Sequence, residues 1–304
     1  MLANRQLDEI CGFTESDQST DPDALASAWH CLQQGLVNGF TALDHQDIQT
    51  LLGPTQSSPM TNSGARVLGT AYELAPASAA QNNSLLCTGS QGVDLSIEWG
   101  QPTNVLGALM AAADYADRPR MATSIRCLAV GDLLSAISKA YEIQITLDEE
   151  GWCSPAQSLG LGACALAAHL LGYSFFQIRN CLEACLSNFD SKGGLSSETA
   201  TPRLVGKLNE YALQCVLAVQ TESDGGNTLT MPTKETRYLG NKISRYGAKD
   251  SAAQDQLRSR LYKAMLNHVS PVVCTQMKEG FANLERLKAK RVHDFMASLV
   301  SSLS

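Results

Sequence analysis

A Cys-x-x-Cys pair, an apolar run long enough to span a membrane and a long stripe of lysine or arginine are all missing from this chain of 304 residues. Each absence excludes a class of protein. The ten cysteines lie scattered from Cys11 to Cys274, which points to buried reduced thiols and away from a disulfide framework or an iron-sulfur cluster. Cys181 and Cys185 share a helical face, but two ligands do not make a metal site. A membrane helix needs about 20 continuous apolar residues, and Met1 to Ile10, with Arg5, Asp8 and Glu9, has no apolar core of signal-peptide length. The expectation is a cytoplasmic protein with no membrane partner. A formal net charge of -7 without a basic stripe argues against a nucleic-acid partner. It also means that an acidic ligand would need a local basic pocket.

Charged residues are sparse as well, at 17% against 44% hydrophobic, so apolar surface is available for extensive helix packing or a subunit interface. Strand signals are weak throughout and helical ones are strong. Asp21-Pro22 pairs a capping residue with proline at the first helical position, and Leu25, Trp29, Leu32 and Leu36 follow at helical spacing. Gly53 to Gly64 is rich in turn formers and reads as a loop. Helical character resumes near Pro76 to Cys87, and from Pro102 the pattern becomes long and regular. Ser158 to Leu171 is almost wholly apolar and small, as expected of a central helix that its neighbours approach closely, with His169 read as one of its core residues. Gly172 stops it, and Ser174 with Gln177 fits a capping box for the next helix. Further helices are predicted over about 203–220 and between Gln254 and Leu303, with loops at 187–202 and 221–250. The fold class is all-α.

Residues 221–250 differ in kind, being turn-like at Asp224-Gly225-Gly226-Asn227 and basic at Lys234, Arg237, Lys242, Arg245 and Lys249. A solvated connector is favoured over an anion-binding loop, because no phosphate-loop motif accompanies the charges. The five histidines, His30, His45, His169, His268 and His293, have no paired nucleophile and no metal-ligand spacing.

One run is more specific: Glu98-Trp99-Gly100-Gln101-Pro102, followed by Leu106-Gly107. With Gly64-Ala65-Arg66-Val67-Leu68-Gly69-Thr70, Lys139-Ala140-Tyr141-Glu142-Ile143-Gln144 and the carboxyl end from Leu261-Tyr262-Lys263, it resembles the 2-methylcitrate dehydratase (MmgE/PrpD) family, lyases of propionate catabolism. The blocks run in order through nearly the whole chain. The resemblance implies a multi-helix MmgE/PrpD-type helical domain in residues 1–220, a connector at 221–250 where the family carries an α/β lid domain, and helices at 251–304 packing back on the first part. The lid domain is expected to be absent.

The family reaction removes water from a tricarboxylate without a metal or other cofactor, using an acid, a base and cations for the carboxylates. By the resemblance, the histidine of the Glu-Trp-Gly-His-Pro block falls on Gln101, a second histidine near Gln157, and a lysine near Thr201 with Arg203 and Lys207 close by. An aspartate-rich stretch falls on Gly89-Ser90-Gln91-Gly92, which has no carboxylate. Glutamine keeps polar contact but does not titrate near neutral pH. No catalytic residue is therefore assigned. Glu98, Gln101, Gln157, Arg203 and Lys207 remain candidates for holding a small carboxylic acid, and Asp94 with Glu98 are the nearest carboxylates. Two classes of function follow. The preferred one is a non-catalytic protein that keeps the helical dimerisation surface, as a homodimer or in a heteromer with a full-length relative. The alternative is an active lyase with relocated catalytic residues, which a cleft lined by two or more basic side chains beside a buried carboxylate would favour.

Overall fold

A computed structural model describes residues 4–16, 21–54, 59–121, 126–191, 199–219, 242–243 and 251–300. The connector expected at 221–250 lies outside the described residues except for Lys242 and Ile243.

The architecture is all-α. In chain order the helices are α1 (Asn4–Glu15), α2 (Pro22–Ala42), α3 (Gln46–Gln49), α4 (Pro76–Thr88), α5 (Leu106–Arg120), α6 (Val130–Glu149), α7 (Pro155–Leu170), α8 (Phe175–Ser191), α9 (Pro202–Val219), α10 (Ser251–Met265), α11 (Pro271–Phe281), α12 (Leu284–Lys288) and α13 (Val292–Ser298). A 3-10 turn, Pro102–Val105, leads into α5. Before α4, β1 (Ala65–Arg66) pairs antiparallel with β2 (Glu73–Leu74), in the register Ala65 to Leu74 and Arg66 to Glu73. This hairpin is too short to show an alternating pattern, which is why the sequence gives no sign of it.

The helices begin where their capping chemistry directs. At α2 the Asp21 carboxylate accepts the Asp23 N–H at 2.9 Å, ahead of Pro22. At α8 the Gln177 amide oxygen accepts the Ser174 N–H at 2.9 Å, as the predicted capping box requires. Helix α7 is central, packed by α5, α6, α8 and α9, and its small residues permit the approach. A Cβ on Gly162 would lie 2.6 Å from the Ala140 carbonyl oxygen of α6. Gly172, at φ +86°, ends it in the left-handed conformation that glycine adopts without strain. His169 departs from the expected core position, since it is exposed in the last turn of α7.

Helix α8 also outruns its predicted end and reaches Ser191, five residues into the segment expected to be a loop, 187–202. Ser187 and Asn188 bond back to the Glu183 and Ala184 carbonyls, and Phe189 packs so closely on Gly160 of α7 that a Cβ there would meet its ring at 2.4 Å. A tertiary anchor thus carries the helix past a polar stretch. Residues 192–198 lie outside the described residues.

The carboxyl-terminal helices pack on the earlier ones, α10 against α2, α12 against α6 and α13 against α5. Val130 N–H donates to the Lys290 carbonyl and Val292 N–H to the Leu128 carbonyl, both at 2.8 Å. All ten cysteines are free, eight of them buried. None of the described helices is long and apolar enough to cross a membrane.

Candidate functional site

The Glu98 segment is fixed by side-chain amides that replace regular secondary structure. Asn104 Nδ2 donates to the carbonyls of Glu98 at 2.9 Å and Trp99 at 2.8 Å, and Gln144 Nε2 of α6 donates to Trp99 at 2.7 Å. Asn209 of α9, fully buried, donates to the Asn104 carbonyl at 2.8 Å and accepts the Ala108 N–H at 3.1 Å. Upstream, Ile97 N–H bonds to the Ala200 carbonyl at 2.9 Å and Arg203 N–H to the Val93 carbonyl at 3.2 Å. The run quoted from the sequence is therefore a rigid strap between α6 and α9.

Beneath the strap lies a groove of about 280 Å³, whose wall includes Gln34, Asn38, Thr88, Ser90, Gln101 and Asn104. None of the described side chains on that wall ionises near neutral pH. Its polar groups are also largely occupied. Gln34 Nε2 donates to Asn38 Oδ1 at 2.8 Å, Asn38 Nδ2 to the Cys87 carbonyl at 3.0 Å and Thr88 Oγ1 to the Ser84 carbonyl at 2.7 Å. The Gly89-to-Gly92 stretch forms a tight turn on this wall, with Gly92 at φ +132° and its N–H bonded to the Gly89 carbonyl at 3.0 Å.

Of the candidate residues, only Gln101 stands on the groove wall among the described residues. The Gln101 amide donates to the Glu98 carboxylate, which is itself exposed. Arg203 pairs at 3.0 Å with Asp94, and both side chains are largely in water, where such a pair contributes about 0–1 kcal/mol. Gln157 is elsewhere. Its amide oxygen accepts the Ser154 N–H at 3.0 Å while Ser154 Oγ accepts the Gln157 N–H at 3.3 Å, the capping box that starts α7. Thr201 Oγ1 accepts the Leu204 N–H at 3.2 Å at the start of α9, and Lys207 is exposed on that helix.

A second polar centre escaped the sequence reading. Asp114 of α5, fully buried, accepts the Arg66 N–H at 2.8 Å and lies 3.4 Å from Arg66 Nη2 and 3.9 Å from Arg118 Nη2. Arg118 forks onto Glu73 at 2.5 and 2.9 Å. Asp117, also buried, accepts the N–H groups of Leu128 at 2.6 Å and His293 at 3.1 Å. Arg66 reaches His293 of α13 at its carbonyl, 2.9 Å, and at ring Nδ1, 2.6 Å. The contributors stand as far apart as positions 66 and 293, and no local motif joins them.

Burial, and then the Arg66 charge, hold His293 below the ordinary 6.5, against the opposing pull of Asp114. Burial alone does the same to His30, whose Nδ1 has no hydrogen-bond partner among the described residues. Between the lowered folded value and 6.5 the unfolded chain binds more protons, so stability from these groups is complete above 6.5 and is lost as pH falls. The buried Asp114 carboxyl is raised and acts with the opposite sign in its own range. The His30 contribution is isolated by comparing urea midpoints at about pH 7.5 and about pH 6. His30→Gln should show a smaller acid loss than the parent protein, and an unchanged or steeper loss would contradict this account.

The sequence profile described as the MmgE/PrpD N-terminal domain matches residues 8–235. A 2-methylcitrate dehydratase from Salmonella typhi is 34% identical over 143 residues, covering 46% of this chain and 30% of that protein. Its counterpart from Cupriavidus necator is 36% identical over 123 residues, covering 40% of this chain and 25% of that protein. An alkylcitrate dehydratase from Fungal sp. (strain ATCC 74256) is 32% identical over 104 residues, 32% of this chain and 21% of that protein. The chain thus aligns with less than a third of the length of each of these relatives.

Proposed function

The chain belongs to the MmgE/PrpD family, whose N-terminal-domain profile covers residues 8–235, and on that premise we propose that it is a non-catalytic member serving as an interaction subunit. One observation carries the proposal. The groove beneath the Glu98 strap has no titrating group among the described residues of its wall. A dehydration needs a proton acceptor and a proton donor within hydrogen-bond reach of the reacting carbon and hydroxyl. Gln157 and Thr201, at the positions where the resemblance puts a histidine and a lysine, are committed to starting α7 and α9. Absence of a lid domain, which remains part of the proposal, would further weaken any charge stabilisation by leaving the groove open to water. Assay on 2-methylcitrate tests the catalytic half.

The interaction half rests on self-association through the helical domain, or on pairing with a full-length relative. Light scattering at low micromolar concentration is expected to give about twice the chain mass of 32.6 kDa. An interface of about 1,200–2,000 Å² would suffice. A clean monomer that also recovers no partner from its native cell would defeat this half and leave the first intact. Relocated chemistry has one feature in its favour, the arginines gathered around Asp114. That carboxylate is fully buried and engaged by Arg66, so the arrangement suits binding better than proton transfer.

A further inference from the structure

The carboxyl-terminal end of α5 opens onto a second cleft. It lies one helix length, roughly 20 Å at 1.5 Å per residue, from the groove at the amino-terminal end. Its cavity is about 610 Å³, within the range of small-ligand sites. The wall combines an apolar side, Tyr115, Met121 and Leu171, with Arg118, Arg120 and His293. No aspartate or glutamate stands on that wall among the described residues. The carboxylates of the neighbouring network, Glu73, Asp114 and Asp117, lie off it, so the face presented to the cavity is rich in nitrogen donors.

The individual groups define what fits. Arg118 shares its guanidinium with Glu73 but keeps a buried Nε–H that has no acceptor among the described residues. Arg120 donates one N–H to the Leu170 carbonyl at 2.9 Å, which fixes its guanidinium at the edge of the cavity. His293 accepts from Arg66, and burial and that arginine oppose its protonation. Two guanidiniums on a described wall without a carboxylate suit an anionic group, whereas the apolar side opposite them would leave the further carboxylates of a tricarboxylate unpaired and desolvated. We propose that this cleft binds a small amphipathic monocarboxylic acid. Its carboxylate sits at Arg118 and Arg120, and its hydrocarbon or aromatic body lies against Tyr115, Met121 and Leu171. Guanidinium-carboxylate contact supplies orientation, and the apolar side supplies most of the buried area.

Calorimetric titration of the full chain with phenylacetate, phenylacetamide and citrate tests the assignment. Phenylacetate should bind saturably, about tenfold or more tighter than the uncharged amide, and more tightly than citrate. Raising the salt should weaken it. Met121 is 45% exposed at the cavity wall, so a charge can be introduced there with little risk to folding. Met121→Asp and Met121→Lys lose the same apolar contact, so the aspartate variant should bind phenylacetate about fivefold more weakly than the lysine variant, with thermal stability unchanged in both. Arg120→Gln should weaken phenylacetate binding in protein shown by circular dichroism to be folded. The proposal is overturned by equal affinity for acid and amide, by preference for citrate, by the absence of saturable binding, or by equal affinity of the two Met121 variants for phenylacetate. Loss of binding in Gln101→Ala would place the acid in the other groove and overturn it equally.

Discussion

Purified protein given 2-methylcitrate should yield no measurable unsaturated product, followed by the ultraviolet absorbance of the new double bond. The groove at the Glu98 strap offers amides and hydroxyls but no described side chain that titrates near neutral pH. A positioned general acid or base contributes about 10²–10⁴-fold. A site lacking both forgoes on the order of 10⁴-fold even when strict additivity is not assumed. No cation stands on the groove wall among its described residues, and Arg203, off that wall, is exposed and paired with Asp94. Gln101→His alone is expected to leave the protein inactive. The new imidazole would stand beside the exposed Glu98 carboxylate, but Gln157 and Thr201 would still be serving helix starts, so the positions matching the second histidine and the lysine would still supply no titrating group. Turnover in the ordinary enzyme range, about 1–10³ s⁻¹, would refute the non-catalytic reading outright. Restoration by Gln101→His alone would show that the remaining constellation is intact and that one residue accounts for the silence.

What the sequence allowed one to read divides along physical lines. Helices α2, α5, α6, α7 and α9 were legible because their apolar spacing and their stop and start residues are local, as with Asp21-Pro22 and Gly172. The end of α8 was not, because it depends on Phe189 finding Gly160 on another helix. The Glu98 run was legible as a motif, and the structure supplies its physics. In Leu106-Gly107 the glycine has no freedom to gain a side chain, since a Cβ would lie 1.9 Å from Ser84 Oγ and 2.5 Å from the Ala80 carbonyl oxygen of α4. Gln157 could have been placed from sequence alone. Ser154-Pro155-Ala156-Gln157 is a capping box with proline at the first helical position, a wholly local signal. The Asp114 centre and the cleft beside it had no such signal, because residues 62–73, 114–121, 171 and 293 meet only once the chain has folded.

That centre gives the largest expected effect on stability. Asp114→Ala should cost about 3–5 kcal/mol in urea unfolding, a large part of the roughly 5–15 kcal/mol that holds a typical domain folded. The reason is asymmetry between making and breaking a buried ion pair. Burial raises the Asp114 carboxyl despite the opposing pull of Arg66 and Arg118, which means desolvation outweighs the attraction and the intact pair contributes little on balance. Removing the carboxylate, however, strands the buried Arg66 guanidinium and leaves the Arg66 N–H without its acceptor at 2.8 Å. Truncation also opens a small void in the packed contact of α5 with β1. Asp114→Asn should fall between, because its amide oxygen can keep the N–H bond while the charge is lost. The double variant Arg66→Met with Asp114→Leu should recover much of the single-variant loss, since no stranded charge remains in it. A cost below about 1 kcal/mol for Asp114→Ala would show that water reaches the site or that Arg66 finds another partner. A double variant as unstable as Asp114→Ala would assign the effect to lost packing between α5, β1 and α13 instead of to charge.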